Sequence, residues 1–226
     1  MAKTKLYPEN FYMSPFFVIE RFKRIVEKQG PEEALNSVKF KAEREAWITA
    51  VFLLGLSKGK QDEHWVGINP DDSTPDTYGV QFLPYGKGLE RRIMNFEIFE
   101  WEKHSKNSLF EAILNKLKCK NYPDYFWLLA YVHGHEGEGL NPEEIFQTLK
   151  DRKIPIGSIW MLSSILSENN GDHVIVQLYP RRGQVSFNYL AEAEKRKGQT
   201  ELIQATGRGI SQEFKRMGIK HIPLPK

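Results

Sequence analysis

Apolar residues recur at helical spacing in the first part of the chain, and they predict two helices before the first strand. Residues 14–29 form the first predicted helix, with Ser14 as its N-cap and Gly30 as its stop signal. Pro31 opens a second predicted helix that reaches about Leu56. The later part of that helix, AEREAWITAVFLLGL, is almost wholly apolar after its glutamates, as in a helix packed deep against a sheet.

The rest of the chain has the apolar runs of strands, separated by shorter helices. HWVGIN, YGVQFLP and RRIMNFEIFEWE predict three successive strands, the last two joined by a glycine-containing hairpin turn. The later predicted elements are a helix over 108–118, a strand in YFWLLAYVH, a helix ending at Lys150, strands in IPIGSIWMLSSI and DHVIVQLYP, and a hairpin partner in QVSFNYL. From Ala191 the chain is polar and predicted to be helical. This order predicts an α/β fold in which helices flank a central mixed sheet.

Composition narrows the class of protein. A chain of 226 residues, 40% apolar and 27% charged, has the composition of a soluble globular protein, and its length predicts a single domain over 1–226. The net charge of +3 neither requires nor excludes nucleic acid. One cysteine, Cys119, excludes an internal disulfide framework and is typical of a reducing compartment. No apolar run reaches about 18 residues and the N-terminus lacks a secretory apolar core, so we expect a cytoplasmic protein without a membrane span.

Carboxylates accompany apolar segments at three places, and these places define the candidate chemistry. Glu97 lies within RRIMNFEIFEWE, a run that otherwise reads as a buried strand, and Asp76 lies just before the strand YGVQFLP. Glu43 and Glu45 lie on neighbouring stripes of the second predicted helix, and either could point toward the strands. Buried carboxylates need charged or hydrogen-bonding partners. Acids that converge at the ends of paired strands are the arrangement that a divalent cation requires.

These residues resemble the motifs of the PD-(D/E)xK nuclease superfamily, which has the restriction-endonuclease-like fold. Pro75-Asp76 matches the family's Pro-Asp signature, and FEIFE supplies Glu97 as the acid of the third core strand. The resemblance implies that Asp76, Glu97 and either Glu43 or Glu45 bind Mg²⁺, with Mn²⁺ as an alternative cation.

The resemblance covers only part of the chain and departs from the family at one position. The matching core is expected over 40–132, with a helical N-terminal addition over 1–39 and a helical C-terminal extension over 190–226. In that family a lysine two residues after the last acid helps to activate water. Phe99 stands at that position here, so Lys116 on the following helix is a candidate replacement. Lys103 is another, although a lysine at the end of a strand is more often simply solvated.

Two other polar segments are candidates for binding. Arg181, Arg182, Lys195 and Arg196 are predicted to contact a nucleic-acid backbone, the alternative being an ordinary solvated surface. The segment HGHEGEG over 133–139 has metal-ligating residue types, but its glycines favour a surface loop.

Two functions of different class follow from these residues. The first is a metal-dependent nuclease that cleaves phosphodiester bonds of DNA or RNA, as the resemblance implies. The alternative is a catalytically degraded protein of the same fold that binds nucleic acid or protein, as a homodimer. The retained acids favour the nuclease, whereas the missing strand lysine favours the binding protein.

Overall fold

One mixed sheet organises the fold. The computed structural model describes residues 11–60, 63–69, 74–85, 88–102, 106–132, 140–150, 152, 154–165, 171–198, 202–206 and 218–221. Within these ranges the strands are β1 (Phe11–Met13), β2 (His64–Ile68), β3 (Thr77–Tyr85), β4 (Gly88–Trp101), β5 (Phe126–Val132), β6 (Ser158–Ser164), β7 (Asp172–Tyr179), β8 (Gly183–Asn188), β9 (Leu202–Thr206) and β10 (Gly218–His221). They form one sheet in the order β10-β9-β1-β2-β3-β4-β5-β6-β7-β8. β5 is parallel to β4 and to β6, and the other described pairs are antiparallel.

Helices cover the sheet, so the predicted α/β class is confirmed. In the described ranges the α-helices are α1 (Pro15–Gln29), α2 (Pro31–Asn36), α3 (Lys41–Leu56), α4 (Leu109–Cys119), α5 (Pro142–Lys150) and α6 (Tyr189–Glu194). The Ser14 hydroxyl accepts from the Phe17 N–H at 3.2 Å and caps α1, as predicted. Ser108 and Glu111 form a reciprocal capping box at the start of α4. None of the described helices has both the length and the apolar character to cross a membrane.

The single helix predicted from Pro31 is wrong, because Ser37 interrupts it. Ser37 has an extended backbone (φ −74°, ψ 134°), and its hydroxyl accepts from the Lys39 N–H at 3.3 Å. Serine competes with helical hydrogen bonding in this way when its side chain bonds to the nearby backbone. A 3-10 turn over Val38–Phe40 follows, and only then does α3 begin. The register of α3 against the sheet is therefore independent of α2.

The two faces of the sheet bury separate cores. One core contains α1, α3 and α6, together with Phe96 and Ile98 of β4. The other contains α4 and α5, together with Trp101 of the same strand. Because side chains alternate along a strand, Glu97 lies on the face covered by α4 and Glu100 lies on the face covered by α3. β4 therefore presents one carboxylate to each layer of helices.

Both terminal segments contribute strands to the central sheet. β1 lies inside the predicted N-terminal helical addition and pairs with β2 and β9. β9 and β10 lie inside the predicted C-terminal helical extension and pair with each other. The prediction of helix is therefore wrong at these three strands, although α1 and α2 do lie within 1–39 and α6 lies at the start of the C-terminal segment. Residues 207–217 of that predicted helical extension lie outside the described residues.

Candidate active site

The candidate site lies where β3 begins and β4 continues past it. Thr77, the first residue of β3, pairs with Phe96, whereas β4 runs on to Trp101. Asp76 precedes β3, and its N–H donates to the Phe96 carbonyl at 2.9 Å. Its Oδ2 accepts from the Ile98 N–H at 2.7 Å. These two bonds hold the Asp76 carboxylate against the part of β4 that β3 leaves uncovered.

Glu97 is a buried carboxylate held by two lysines at the C-terminal end of α4, Lys116 within the helix and Lys120 at its C-cap. Its side chain is 1% exposed, and its Oε1 lies 2.9 Å from the Lys116 Nζ and 2.7 Å from the Lys120 Nζ. Burial tends to raise the pKa of Glu97, but the hydrogen bonds and charges of Lys120 and Lys116 hold it below its usual value. The other oxygen, Oε2, is buried without a hydrogen-bond partner among the described residues. Lys120 also donates to the Thr74 hydroxyl at 3.0 Å, so it joins β4 to the segment that carries Asp76.

Glu45 brings a third carboxylate to the site from α3. Burial raises the pKa of Glu45 to about 7, and the charge of Asp76 contributes to the increase. Burial also raises the pKa of Asp76, and the charge of Glu97 adds to this effect, while the Ile98 N–H opposes it. The Lys41 Nζ lies 3.5 Å from Glu45 and partly offsets the negative charge. Asp76 therefore interacts electrostatically with both Glu45 and Glu97, and Glu45 changes its charge near neutral pH.

Two threonines connect the helix that carries Glu45 to the strand that follows Asp76. The Thr49 hydroxyl donates to the Glu45 carbonyl at 2.9 Å. Its hydrogen is then occupied, so at the 2.6 Å contact with Thr77 it accepts and the Thr77 hydroxyl donates. Both threonines are fully buried. This short relay fixes α3 relative to β3 directly beneath the acids.

The acids and lysines surround one open cleft of about 330 Å³. Side chains from both faces of the sheet reach it, because β4 has no β3 partner at this level. The lining residues are Lys41, Glu45, Thr74, Asp76, Glu97, Ile98, Phe99, Glu100, Lys116 and Lys120. The structure thus brings together four of the sequence-predicted site residues, namely Glu45, Asp76, Glu97 and Lys116.

Glu43, the other predicted helix acid, does not reach this cleft. Its Oε1 lies 3.5 Å from Arg21 of α1, and it lines a much smaller cavity between α1 and α3. Of the two candidate helix glutamates, Glu45 is therefore the one that lines the cleft. Glu100 lies at the rim of the cleft, where its Oε1 accepts from the Arg44 Nε at 2.7 Å.

The predicted nucleic-acid-binding residues lie elsewhere on the molecule. Arg181 and Arg182 are exposed between β7 and β8, and Arg182 forms an ion pair with Glu143 of α5. Lys195 and Arg196 line a second cleft at the C-terminal end of α3. This cleft and the acidic cleft have no lining residue in common. The segment 133–139 is outside the described residues.

Lys120 is the site residue that sequence reasoning missed. Phe99 occupies the position where the resembled family has its lysine, and Lys116 and Lys103 were the expected replacements. Lys103 lies outside the described residues. Lys120 directly follows the last residue of α4, where the backbone is extended (φ −141°, ψ 141°), so helical spacing does not predict its direction. The sequence carried no signal that singled it out.

The donor set fits a hydrated Mg²⁺ ion. Mg²⁺ is usually bound by one or two carboxylates, with waters and substrate phosphates completing the octahedron. Asp76 and Glu97 are two such carboxylates on one cleft, and the unpartnered Oε2 of Glu97 is a free acceptor. Across the described part of the chain, no group of three or more His, Cys, Asp or Glu is close enough to form a protein-only metal cage. A cation here would therefore depend on water or phosphate oxygens as well.

No protein-family model, curated protein or solved structure matches this chain. The resemblance to the PD-(D/E)xK superfamily therefore stays a prediction, and the geometry of the cleft is the basis for assigning a function.

Proposed function

We propose that this protein is a Mg²⁺-dependent nuclease that hydrolyses phosphodiester bonds of DNA or RNA, with Mn²⁺ as an alternative cation. The supporting observation is one cleft in which Glu97, paired with two lysines, lies beside the carboxylates of Asp76 and Glu45. Carboxylates for a cation and an amine for water and phosphate are the groups that phosphodiester hydrolysis needs.

Asp76 and Glu97 would hold the cation, and their surroundings prepare them for it. Mg²⁺ at this position would polarise a phosphate oxygen and acidify a water. Glu97 is kept ionised by its lysines, and Asp76 is fixed in place by the Ile98 N–H. Glu45 releases a proton near pH 7, so cation binding should strengthen as the pH rises through that value.

The two α4 lysines have different surroundings and therefore different proposed roles. Lys120 bonds to both Glu97 and Thr74, so it holds the two acid-bearing segments together. Lys116 contacts Glu97, and its side chain is 30% exposed, against 45% for Lys120; both lysines line the cleft. We assign to Lys116 the orientation of the attacking water and the neutralisation of charge that develops on the phosphate.

Nuclease assays with matched variants test this function. Plasmid DNA, single-stranded DNA and RNA are incubated with the purified protein in Mg²⁺ or Mn²⁺. We expect cleavage that falls at least about 100-fold in Asp76→Ala and in Glu97→Ala, since loss of an outer-shell partner alone costs roughly 10- to 100-fold. Glu32→Ala, which removes an exposed carboxylate of α2, should cleave as the wild type does. Cleavage that persists unchanged in Glu97→Ala contradicts the proposal.

One feature favours the second candidate, a binding protein of the same fold. Phe99 stands where the family's lysine is expected, and both α4 lysines are already paired with Glu97. For this candidate, homodimeric protein would retard labelled nucleic acid in a gel without cleaving it. Retardation with no cleavage in either cation would select the binding protein over the nuclease.

A further inference from the structure

Tyr122, in the loop between α4 and β5, is a buried tyrosine with an unsatisfied hydroxyl. It is 4% exposed, and its hydroxyl has no hydrogen-bond partner among the described residues. A buried polar atom without a partner lowers stability, so its presence calls for a reason such as a ligand or catalytic role. The Oε2 of Glu97 is a second buried atom in the same condition.

The two unsatisfied groups are neighbours. Lys120 connects them, because its Nζ lies 2.7 Å from the Glu97 Oε1 and 6.0 Å from the centroid of the Tyr122 ring. Burial raises the pKa of Tyr122, and the Glu97 carboxylate raises it further, both by its charge and as the hydrogen-bond acceptor that the hydroxyl faces. The hydroxyl therefore keeps its hydrogen over the physiological range and can donate to a carboxylate.

Tyr122 lies behind Glu97 and does not face the substrate. Of the described residues, those that line the cleft include Glu97, Lys116 and Lys120 but not Tyr122. The tyrosine ring belongs instead to the core under α4, where its centroid lies 6.0 Å from that of Phe126. It is thus fixed in place and can act on the reaction only through Glu97.

We propose that Tyr122 is a positioning residue for Glu97, whose hydroxyl donates to the Glu97 carboxylate once a divalent cation is bound. The lysines both hold Oε1, so Oε2 has no group that fixes its direction unless Tyr122 supplies one. An outer hydrogen bond of this kind orients a ligating carboxylate. The inference rests on the proposed function, because it requires a cation at Glu97.

Mn²⁺ affinity and metal-free stability together test this role. Calorimetric titration of Mn²⁺ is compared for wild type, Tyr122→Phe and the matched control Tyr125→Phe, whose ring is 60% exposed in the same loop. We expect Tyr122→Phe to raise the Mn²⁺ Kd by about 10-fold. Its metal-free thermal midpoint should equal or exceed that of wild type, since the change removes an unsatisfied hydroxyl. Tyr125→Phe should leave both quantities unchanged.

Three results would overturn the role of Tyr122, and they are distinguishable. Equal Mn²⁺ Kd values for wild type and Tyr122→Phe would remove Tyr122 while leaving the proposed function intact. If Tyr122→Phe binds Mn²⁺ more weakly and also has a lower metal-free thermal midpoint than wild type, the hydroxyl stabilises the fold and does not specifically orient the Glu97 carboxylate. Absence of Mn²⁺ binding by wild type would overturn the proposed function and this inference together.

Discussion

At the residue scale, Glu45 is unfavourable in its charged form, chiefly because it is buried. Its carboxylate is withdrawn from water and lies near Asp76, and both effects raise its pKa to about 7. The folded protein therefore binds a proton that the unfolded chain releases near pH 4.5, the ordinary value for this group. Stability should fall as the pH rises from about 4.5 through about 7, because Glu45 becomes charged in the folded state.

Glu45→Gln should accordingly stabilise the metal-free protein at pH 8 and have little effect at pH 5. Glutamine keeps the shape of the side chain and removes the buried charge, so we expect a gain of roughly 1–2 kcal/mol at pH 8 after allowance for solvent screening. Urea unfolding at the two pH values measures the difference. Glu43→Gln is the control, since that carboxylate lies outside the cleft. A Glu45→Gln variant that is less stable than wild type at pH 8 would contradict this account.

The two strand acids of the site could be predicted from the sequence, whereas the choice between the two glutamates of α3 could not. Asp76 and Glu97 could be placed because strand pattern and the Pro-Asp motif position them locally. Glu45 could not be chosen over Glu43, because the two lie on neighbouring stripes of α3 and the answer depends on how that helix packs against the sheet.

At the scale of elements, the geometry of the site depends on how α3 is fixed against β3. The hydroxyl relay from Thr77 through Thr49 to the Glu45 carbonyl is a buried polar link between them, next to a large apolar cluster. A polar pair with both members satisfied favours one register of helix on strand. The sequence predicts an apolar helix and a strand that follows it. It does not predict that Thr49 and Thr77, 28 positions apart, form a hydrogen bond.

A double-mutant cycle on these threonines should show strong coupling. Thr49→Val leaves the Thr77 hydroxyl buried without an acceptor, and we expect it to cost roughly 1–3 kcal/mol. The double variant Thr49→Val/Thr77→Val replaces both partners with groups of similar shape, so it should be nearer to wild-type stability than Thr49→Val alone. Denaturant unfolding of the four proteins measures the cycle. Strictly additive effects would show that the relay does not couple α3 to β3.

At the scale of the whole molecule, long-range strand pairing decides which segments belong to the core. β1 has three residues and lies between β2 and β9, which come from opposite ends of the chain. Strands this short have no periodicity that distinguishes them from loops, so sequence reasoning assigned both terminal segments to helical additions. The central strands β4 and β5 could be predicted because their apolar runs are longer.

Ile203 of β9 tests whether the C-terminal strand is part of the structural core. It is 1% exposed and packs with Tyr12 and Trp65, so truncation would leave a cavity under three strands. We expect Ile203→Ala to cost roughly 2–4 kcal/mol, typical of a buried large-to-small change. Leu190→Ala, at a position 43% exposed, is the control and should cost much less. If thermal unfolding shows equal small losses for both variants, β9 is a dispensable attachment, and its place beside β1 contributes little to the stability of the sheet.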